Sequence, residues 1–324
     1  MIHKMIPTPA WFAQDGTLPR LCQPLAWLYG AGARLMRAKP YAPILPTILV
    51  GNVTAGGAGK TPVVRAIARW LRDQGVDTHV ILRGYGGREA GPRRVAPDNR
   101  DVGDEARLHA RDGVTWVARH RPDGLNAAAA AGARLAVLDD GMQSLHLQSG
   151  LTVLVIDGPF GIGNGRLLPA GPLREPLVNA LTRSDGCIII GPDPHRLAEQ
   201  AQRINPAITL CRVQAKAQPP PGPLAAFAGL ARPEKFFESL HASGGQVVAT
   251  RRFADHHPYR PQDLRALEAW AQQHNAQLVT TEKDAMRLPP DFALVAPLDL
   301  DWLGDSRAQL LSRIAGACHT KGIS

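Results

Sequence analysis

The chain has 324 residues, of which 44% are hydrophobic and 20% charged, and carries a formal net charge of +9. This is the composition of a folded, soluble-type protein long enough for two domains, and its positive balance points to an acidic partner: nucleotide, anionic lipid or nucleic acid. No apolar run reaches the roughly 18 residues that would mark a membrane-spanning helix, and the scattered Cys22, Cys187, Cys211 and Cys318 argue against a zinc or disulfide framework and favour a reducing compartment.

Residues 1–40 form an N-terminal segment. The stretch from Leu21 to Ala33 is uncharged, holds Gln23 and Pro24, and has arginines on both sides, which is not a secretory pattern. Leu25, Leu28, Tyr29, Leu35 and Met36 line one face of a predicted helix, with Arg20, Arg34, Arg37 and Lys39 around it. Two readings fit. The helix lies in a membrane surface, each basic residue adding about 1 kcal/mol near anionic lipid, or it packs on the protein's own core.

The next segment, residues 41–216, begins with an apolar strand over Ile48 to Val50 that runs into Gly51-Asn52-Val53-Thr54-Ala55-Gly56-Gly57-Ala58-Gly59-Lys60-Thr61-Pro62. Glycines let several backbone N–H groups point into one hollow, and the following helix adds the positive end of its dipole, so phosphate oxygens fit there. Lys60 suits the β- and γ-phosphates and the Thr61 hydroxyl a Mg²⁺ ion. Pro62 sits where a helix tolerates a missing N–H, and Val63, Ile67 and Leu71 recur every four residues on one face. The usual glycine of this motif is replaced by Thr54, with Gly56 and Gly57 as the alternative source of flexibility. The competing reading is an ordinary glycine-rich turn with an exposed lysine.

Downstream, Thr78 to Leu82 reads as a strand, followed by the hinged loop Arg83-Gly84-Tyr85-Gly86-Gly87. Asp104 and Glu105 open a helical stretch, Val114 to Ala118 is a short strand leading to Arg119-His120-Arg121, and Asn126 to Ala133 is an alanine-rich helix. The apolar strand Leu135 to Leu138 ends in Asp139-Asp140-Gly141-Met142-Gln143. Strand-end aspartates form turns, and in a P-loop fold they also hold Mg²⁺ opposite the threonine. Leu151 to Ile156 and Cys187 to Ile190 are further apolar strands. Between them, Gly163 through Pro176 is too rich in glycine and proline for regular structure and presents Arg166, Arg174 and Glu175.

Strands alternating with helices predict an α/β fold of P-loop NTPase type: a mostly parallel sheet with helices on both faces and ligands at the carboxyl ends of the strands. Gln218 to Pro223 is a proline-rich linker, and residues 217–324 form a smaller C-terminal α/β domain. Its elements are strands at Leu224 to Ala228, Gln246 to Ala249 and Leu278-Val279, and helices at Pro233 to Leu240, Gln262 to His274 and Asp305 to Ala317.

Taken together, the glycine-rich loop, Arg83 through Gly87, Gly103-Asp104-Glu105, Asp139 through Gln143, Gly163 through Pro176, Asp255-His256-His257 and Thr280-Thr281-Glu282-Lys283-Asp284 resemble the tetraacyldisaccharide 4′-kinase family. The matches span nearly the whole chain in order, and Thr54 is itself part of that family's loop. The resemblance implies an ATP- and Mg²⁺-dependent kinase that phosphorylates the 4′-hydroxyl of a lipid-linked glucosamine disaccharide 1-phosphate, giving lipid IVA. It also implies peripheral attachment to an anionic inner-membrane surface on the cytoplasmic side, with no nucleic acid and no obligate protein partner.

By resemblance, residues 54–61 hold the nucleotide, Asp104 is the base that takes the sugar hydroxyl proton, and His256 pairs with it from the second domain. Thr61, Asp139, Asp140 and Glu175 stand on the metal side. Asn52, Arg83, Tyr85, Glu105, Arg121, Gln143 and Arg174 are assigned to substrate or phosphate. Ser144 stands where the family usually has histidine, with His146 close by. A nucleotide-dependent membrane-associated switch is the alternative, although Thr281-Glu282-Lys283-Asp284 has the wrong order for the Asn-Lys-x-Asp element that recognises guanine.

Overall fold

A computed structural model describes residues 10–35, 41–99, 101–142, 147–148 and 150–319. Gln143, Ser144 and His146, and Met36, Arg37 and Lys39 of the N-terminal segment, lie outside the described residues. The chain forms two compact units: residues 215–301, and the remaining described residues.

In the larger unit, α1 (Thr17–Leu21) and α2 (Gln23–Leu35) precede β1 (Thr47–Gly51), α3 (Lys60–Asp73) and β2 (Thr78–Leu82). Next come β3 (Arg93–Arg94), α4 (Asp104–Asp112), β4 (Thr115–Val117), α5 (Arg121–Ala130), β5 (Leu135–Asp139) and β6 (Leu151–Asp157). Helix α6 (Leu177–Thr182), β7 (Gly186–Ile190), α7 (Leu197–Ile204) and β8 (Thr209–Ala217) complete the run. The smaller unit contributes β9 (Pro223–Ala228), α8 (Glu234–Ala242), β10 (Gln246–Arg252), α9 (Pro261–Gln273), β11 (Gln277–Thr281), α10 (Glu282–Ala285) and β12 (Leu294–Ala296). Strand β13 (Leu298–Leu303) and α11 (Ser306–His319) end the described chain.

The large sheet has nine strands in the order β13-β8-β7-β6-β1-β5-β2-β4-β3. The pairs from β8 through β4 are parallel, and β3 joins β4 antiparallel. Every residue of β1, β2, β5, β6 and β7 is buried, which is why these strands read as continuous apolar runs: both faces are covered. Register places Val50 opposite Asp139, so β1 and β5 deliver the glycine-rich loop and the paired aspartates to the same edge. The smaller sheet, β10-β9-β11-β12, is parallel throughout.

Several elements differ from the sequence reading. Helix α5 starts at Arg121, five residues before the expected Asn126, because Pro122 and Asp123 make a favourable first turn. Strand β8 was not anticipated: its apolar residues alternate with polar ones, so no continuous apolar run marks it. The last helix, expected in the C-terminal domain, belongs to the larger unit; its Leu310 and Ile314 are buried, and Ser306 accepts the Cys211 thiol hydrogen bond at its carbonyl.

The N-terminal segment packs on the protein along one side and leaves apolar side chains exposed on another. Ala26 is fully buried, and Arg166 binds Asp15 (3.1 and 3.2 Å) and Gln23, so the helices are seated on the protein. Leu18, Leu21, Leu25 and Leu28, spaced three and four apart, face outward together with Trp27, and Leu21 is 71% and Leu28 69% exposed.

Candidate functional site

The site begins where β1 runs out. Asn52 is buried, and its side-chain amide folds back on Thr54, donating to the carbonyl (2.7 Å) and hydroxyl (3.3 Å) oxygens. Thr54 lies in extended backbone and bridges Leu173 in antiparallel fashion, flanked by Ala55 N–H to Pro172 O and Arg174 N–H to Val53 O, both 2.7 Å. A residue paired in this way needs no left-handed backbone, which explains a threonine where the usual motif has glycine. The turn is made two residues later by Gly56, at φ +107°; Gly57, also expected to supply flexibility, keeps an ordinary φ.

Gly59 caps α3 at φ +81°, where a side chain would be strained, and a Cβ there would come within 2.7 Å of Ile190 Cδ1, which would have to move. Lys60 and Thr61 then fall in the first turn of α3, beside its N–H groups that have no intrahelical partner. Lys60 Nζ donates to Asn52 Oδ1 at 2.9 Å and lies 3.3 Å from Asp140 Oδ1. Thr61 Oγ1 is 3.5 Å from Asp139 Oδ2.

The two aspartates are neighbours with different partners. Asp140 sits in left-handed backbone at φ +56°, and Arg174 donates from one nitrogen to both its carboxylate oxygens at 3.1 Å. Burial alone would raise the Asp140 carboxyl, but Lys60 and Arg174 outweigh it and hold the group down at about 2. Asp139, 3% exposed, takes His109 Nε2 at 2.9 Å on Oδ2, whereas Oδ1 is buried with no hydrogen-bond partner among the described residues. Arg121 Nη2 donates to the carbonyls of Asp139 (2.8 Å) and Asp140 (3.0 Å) and so clamps the strained turn. Its Nη1 has no partner among the described residues; burial lowers the guanidinium pKa while Asp140 and Asp139 act against that shift.

Arg83 and Tyr85 are exposed at the end of β2, joined at 3.4 Å, and both act electrostatically on Arg121. Their loop is tied to the start of α4 by Arg88 N–H to Asp101 O at 2.7 Å. Asp104 and Glu105 form the first turn of that helix, half-buried, where its dipole favours negative charge. Glu175 is engaged by Arg183 at 2.5 Å, and Arg183 also reaches Met142 O.

His256 lies in the smaller unit, in left-handed backbone at φ +56°, with its N–H on Gly229 O. Its Nε2 is 3.3 Å from Lys283 Nζ. The adjoining Asp284 is fully buried and ties the loops together through Gly229 N–H, Tyr259 Oη, Thr281 Oγ1 and Arg287. Burial and Asp284 push the Tyr259 hydroxyl upward.

The larger unit therefore gathers Asn52, Lys60, Thr61, Arg121, Asp139, Asp140 and Arg174. Sequence reasoning missed His109 and Arg183. The available signal for His109 was a histidine on the face of α4 that carries Ala106 and Leu108, where burial demands a hydrogen-bond partner.

No cluster of three or more His, Cys, Asp or Glu able to hold a metal occurs among the described residues. The Mg²⁺ of a nucleotide does not need one, since it keeps waters and phosphate oxygens and takes only one or two carboxylates. An all-oxygen donor set of Thr61, Asp139 and Asp140, with one orphaned buried carboxylate oxygen, fits that ion.

The model of a family described as tetraacyldisaccharide-1-P 4′-kinase matches residues 18–315. The tetraacyldisaccharide 4′-kinase of Paramagnetospirillum magneticum is 44% identical over 311 residues, covering 91% of this chain and 94% of that protein. Its namesake from Methylobacterium sp. (strain 4-46) is 45% identical over 317 residues, covering 94% and 96%. The fold is shared with the crystal structure of LpxK from Aquifex aeolicus in complex with ATP, at a TM-score of 0.72 and 22% identity over 93% of this chain and 99% of that one.

Proposed function

The chain belongs to the tetraacyldisaccharide-1-P 4′-kinase family, and from that membership we propose that it transfers the γ-phosphate of ATP to the 4′-hydroxyl of a tetraacylated glucosamine disaccharide 1-phosphate, yielding lipid IVA. The observation that carries this reading is the convergence of Lys60 and Thr61, side by side in the first turn of α3, on Asp140 and Asp139 at the end of β5.

Phosphoryl transfer asks little covalent chemistry of a protein; it asks for positioning and charge neutralisation. The backbone of residues 54–61 and the start of α3 bind the phosphate oxygens, and Lys60 exchanges its carboxylate partner for them. Thr61, Asp139 and Asp140 would hold Mg²⁺, with Glu175 assigned to the same side, and the ion supplies charge neutralisation at the phosphates when bound. Asp104 takes the proton of the 4′-hydroxyl as that oxygen bonds to the γ-phosphorus, the bond to the bridging oxygen breaks, and ADP leaves. His256 serves the same step. Arg83, Tyr85 and Arg174, with Asn52, Glu105 and Arg121, are assigned to the acceptor and its phosphates.

No helix among the described residues is long and apolar enough to cross a membrane. The outward leucine stripe of α1 and α2, with the exposed Trp27, supports peripheral seating on a membrane; the anionic cytoplasmic face, where a lipid-borne acceptor would be presented, is assigned from the family membership.

The test is incubation with Mg-ATP and the disaccharide 1-phosphate, followed by mass analysis of the lipid. Gain of one phosphoryl group at the non-reducing sugar supports the proposal. An unchanged lipid, or nucleotide hydrolysis that prefers GTP, overturns it.

A further inference from the structure

Among the buried titratable side chains that the phosphotransfer scheme does not use, His109 is the one in contact with an aspartate of the site. His109 is 1% exposed, and its Nε2 lies 2.9 Å from Asp139 Oδ2, the oxygen that Thr61 Oγ1 also approaches at 3.5 Å. An ionised carboxylate only accepts hydrogen bonds, so Nε2 carries the proton and donates. With Oδ2 so engaged, the carboxylate cannot rotate freely, and Oδ1 is the oxygen left over. It is buried and has no hydrogen-bond partner among the described residues. The neighbouring aspartate cannot take this part as readily, because Lys60 and Arg174 already occupy both oxygens of Asp140.

The imidazole is itself well anchored. Arg65 of α3 binds Asp112 of α4 at 2.5 and 3.2 Å, so the helix carrying His109 is fastened to the helix carrying Lys60 and Thr61. Asp104 opens the same α4, five residues before His109. One buried hydrogen bond thus ties the helix of the assigned base to the carboxylate beside the threonine.

We propose that His109 is a positioning residue for the nucleotide's Mg²⁺: it fixes Asp139 so that Oδ1 is presented to the ion, and it acts through that carboxylate without touching nucleotide or acceptor. This rests on the kinase reading and deepens it. Hydrogen-bond partners of metal ligands orient them and raise their basicity, and losing one costs about 10–100-fold in metal affinity or activity.

The experiment compares wild type with His109→Leu, which keeps bulk but has no donor, and His109→Gln, whose amide nitrogen can stand in for Nε2. Mn²⁺ binding in the presence of ATP, without lipid acceptor, is followed by electron paramagnetic resonance, alongside thermal unfolding and the Mg²⁺ dependence of turnover. The expected result is Mn²⁺ affinity weakened about 10–100-fold in His109→Leu, near-native affinity in His109→Gln, and a leucine variant whose turnover partly recovers at high Mg²⁺. A folded leucine variant with wild-type Mn²⁺ affinity overturns the proposal, since a purely structural histidine would shift only the unfolding temperature. If the leucine variant does not fold, ¹⁵N spectra of the imidazoles in the wild-type chain decide: a protonated Nε2 on His109 supports the assignment and an unprotonated one overturns it. Wild-type chain that holds no Mn²⁺ with ATP removes the kinase reading itself, an outcome distinct from failure of His109 alone.

Discussion

Arg174 grips Asp140 with a single nitrogen placed 3.1 Å from both carboxylate oxygens, across 34 residues of sequence. The same loop binds the N-terminal segment through Arg166, which meets Asp15 and Gln23. One irregular stretch therefore reaches both the seat of the outward-facing helices and the glycine-rich loop after β1. Its backbone pairs with Val53 and Ala55 on the way.

Lys60 contacts both Asn52 and Asp140. Lys60→Ala is expected to lower transfer by about 10²–10³-fold or more, the cost of removing a donor aimed at transition-state charge. Radiolabelled phosphate appearing in the lipid measures this; turnover within a fewfold of wild type would leave Lys60 without its role.

Asp104→Ala is expected to reduce turnover by about 10²-fold or more while ATP affinity stays near wild type, because the lost interaction belongs to the acceptor's proton. The double variant with His256→Ala should lose little more than the worse single variant, since groups acting in one step are not additive. Additive losses would separate the two residues.

Asp140 sets an acid limit on stability in the nucleotide-free chain. Its folded carboxyl is held at about 2, below the roughly 3.9 of an unfolded aspartate. The contribution is therefore fully present above about pH 4 and is lost as pH falls toward 2. Asp140→Asn should unfold at lower temperature at neutral pH and show a flatter dependence between about pH 4 and 2. Parallel curves for the two proteins would contradict the ion-pair account.

Replacing Leu21, Leu25 and Leu28 together by glutamate should leave folding intact, because these side chains are already largely exposed. Co-sedimentation with anionic vesicles should fall by at least about 10-fold, given roughly 1.5 kcal/mol or more for each large apolar side chain buried. Undiminished sedimentation would assign membrane contact to another surface.

The loop from Gly51 to Pro62 was legible because everything it needs is local: an apolar strand, glycines where the turn tightens, and a helix whose first residues carry the lysine and threonine. The paired aspartates were legible as an apolar strand ending in acid, and three strands of the smaller sheet, β9, β10 and β11, as apolar segments separated by turn residues, whereas the three-residue β12 was too short to stand out. His109 escaped because its meaning lies in a partner 30 residues away, and a lone histidine on a helix reads equally as a packed side chain. Arg183 escaped likewise, since neither of its contacts, Glu175 and Met142, announces itself in composition.

What the sequence determined by itself was the repertoire: alternating strands and helices, a glycine-rich turn before a helix, two adjacent carboxylates and an apolar stripe near the start. Those follow from short-range periodicity, backbone freedom and helix-end electrostatics, all properties of neighbouring residues. The tertiary structure decided the assignments. It paired Thr54 with Leu173 in extended backbone, gave Asp140 to Lys60 and Arg174, gave Asp139 to His109, and returned the last helix to the larger unit. Each of these depends on which distant segments share a sheet edge or a helix face, and strand order and register fix that only once the core has formed.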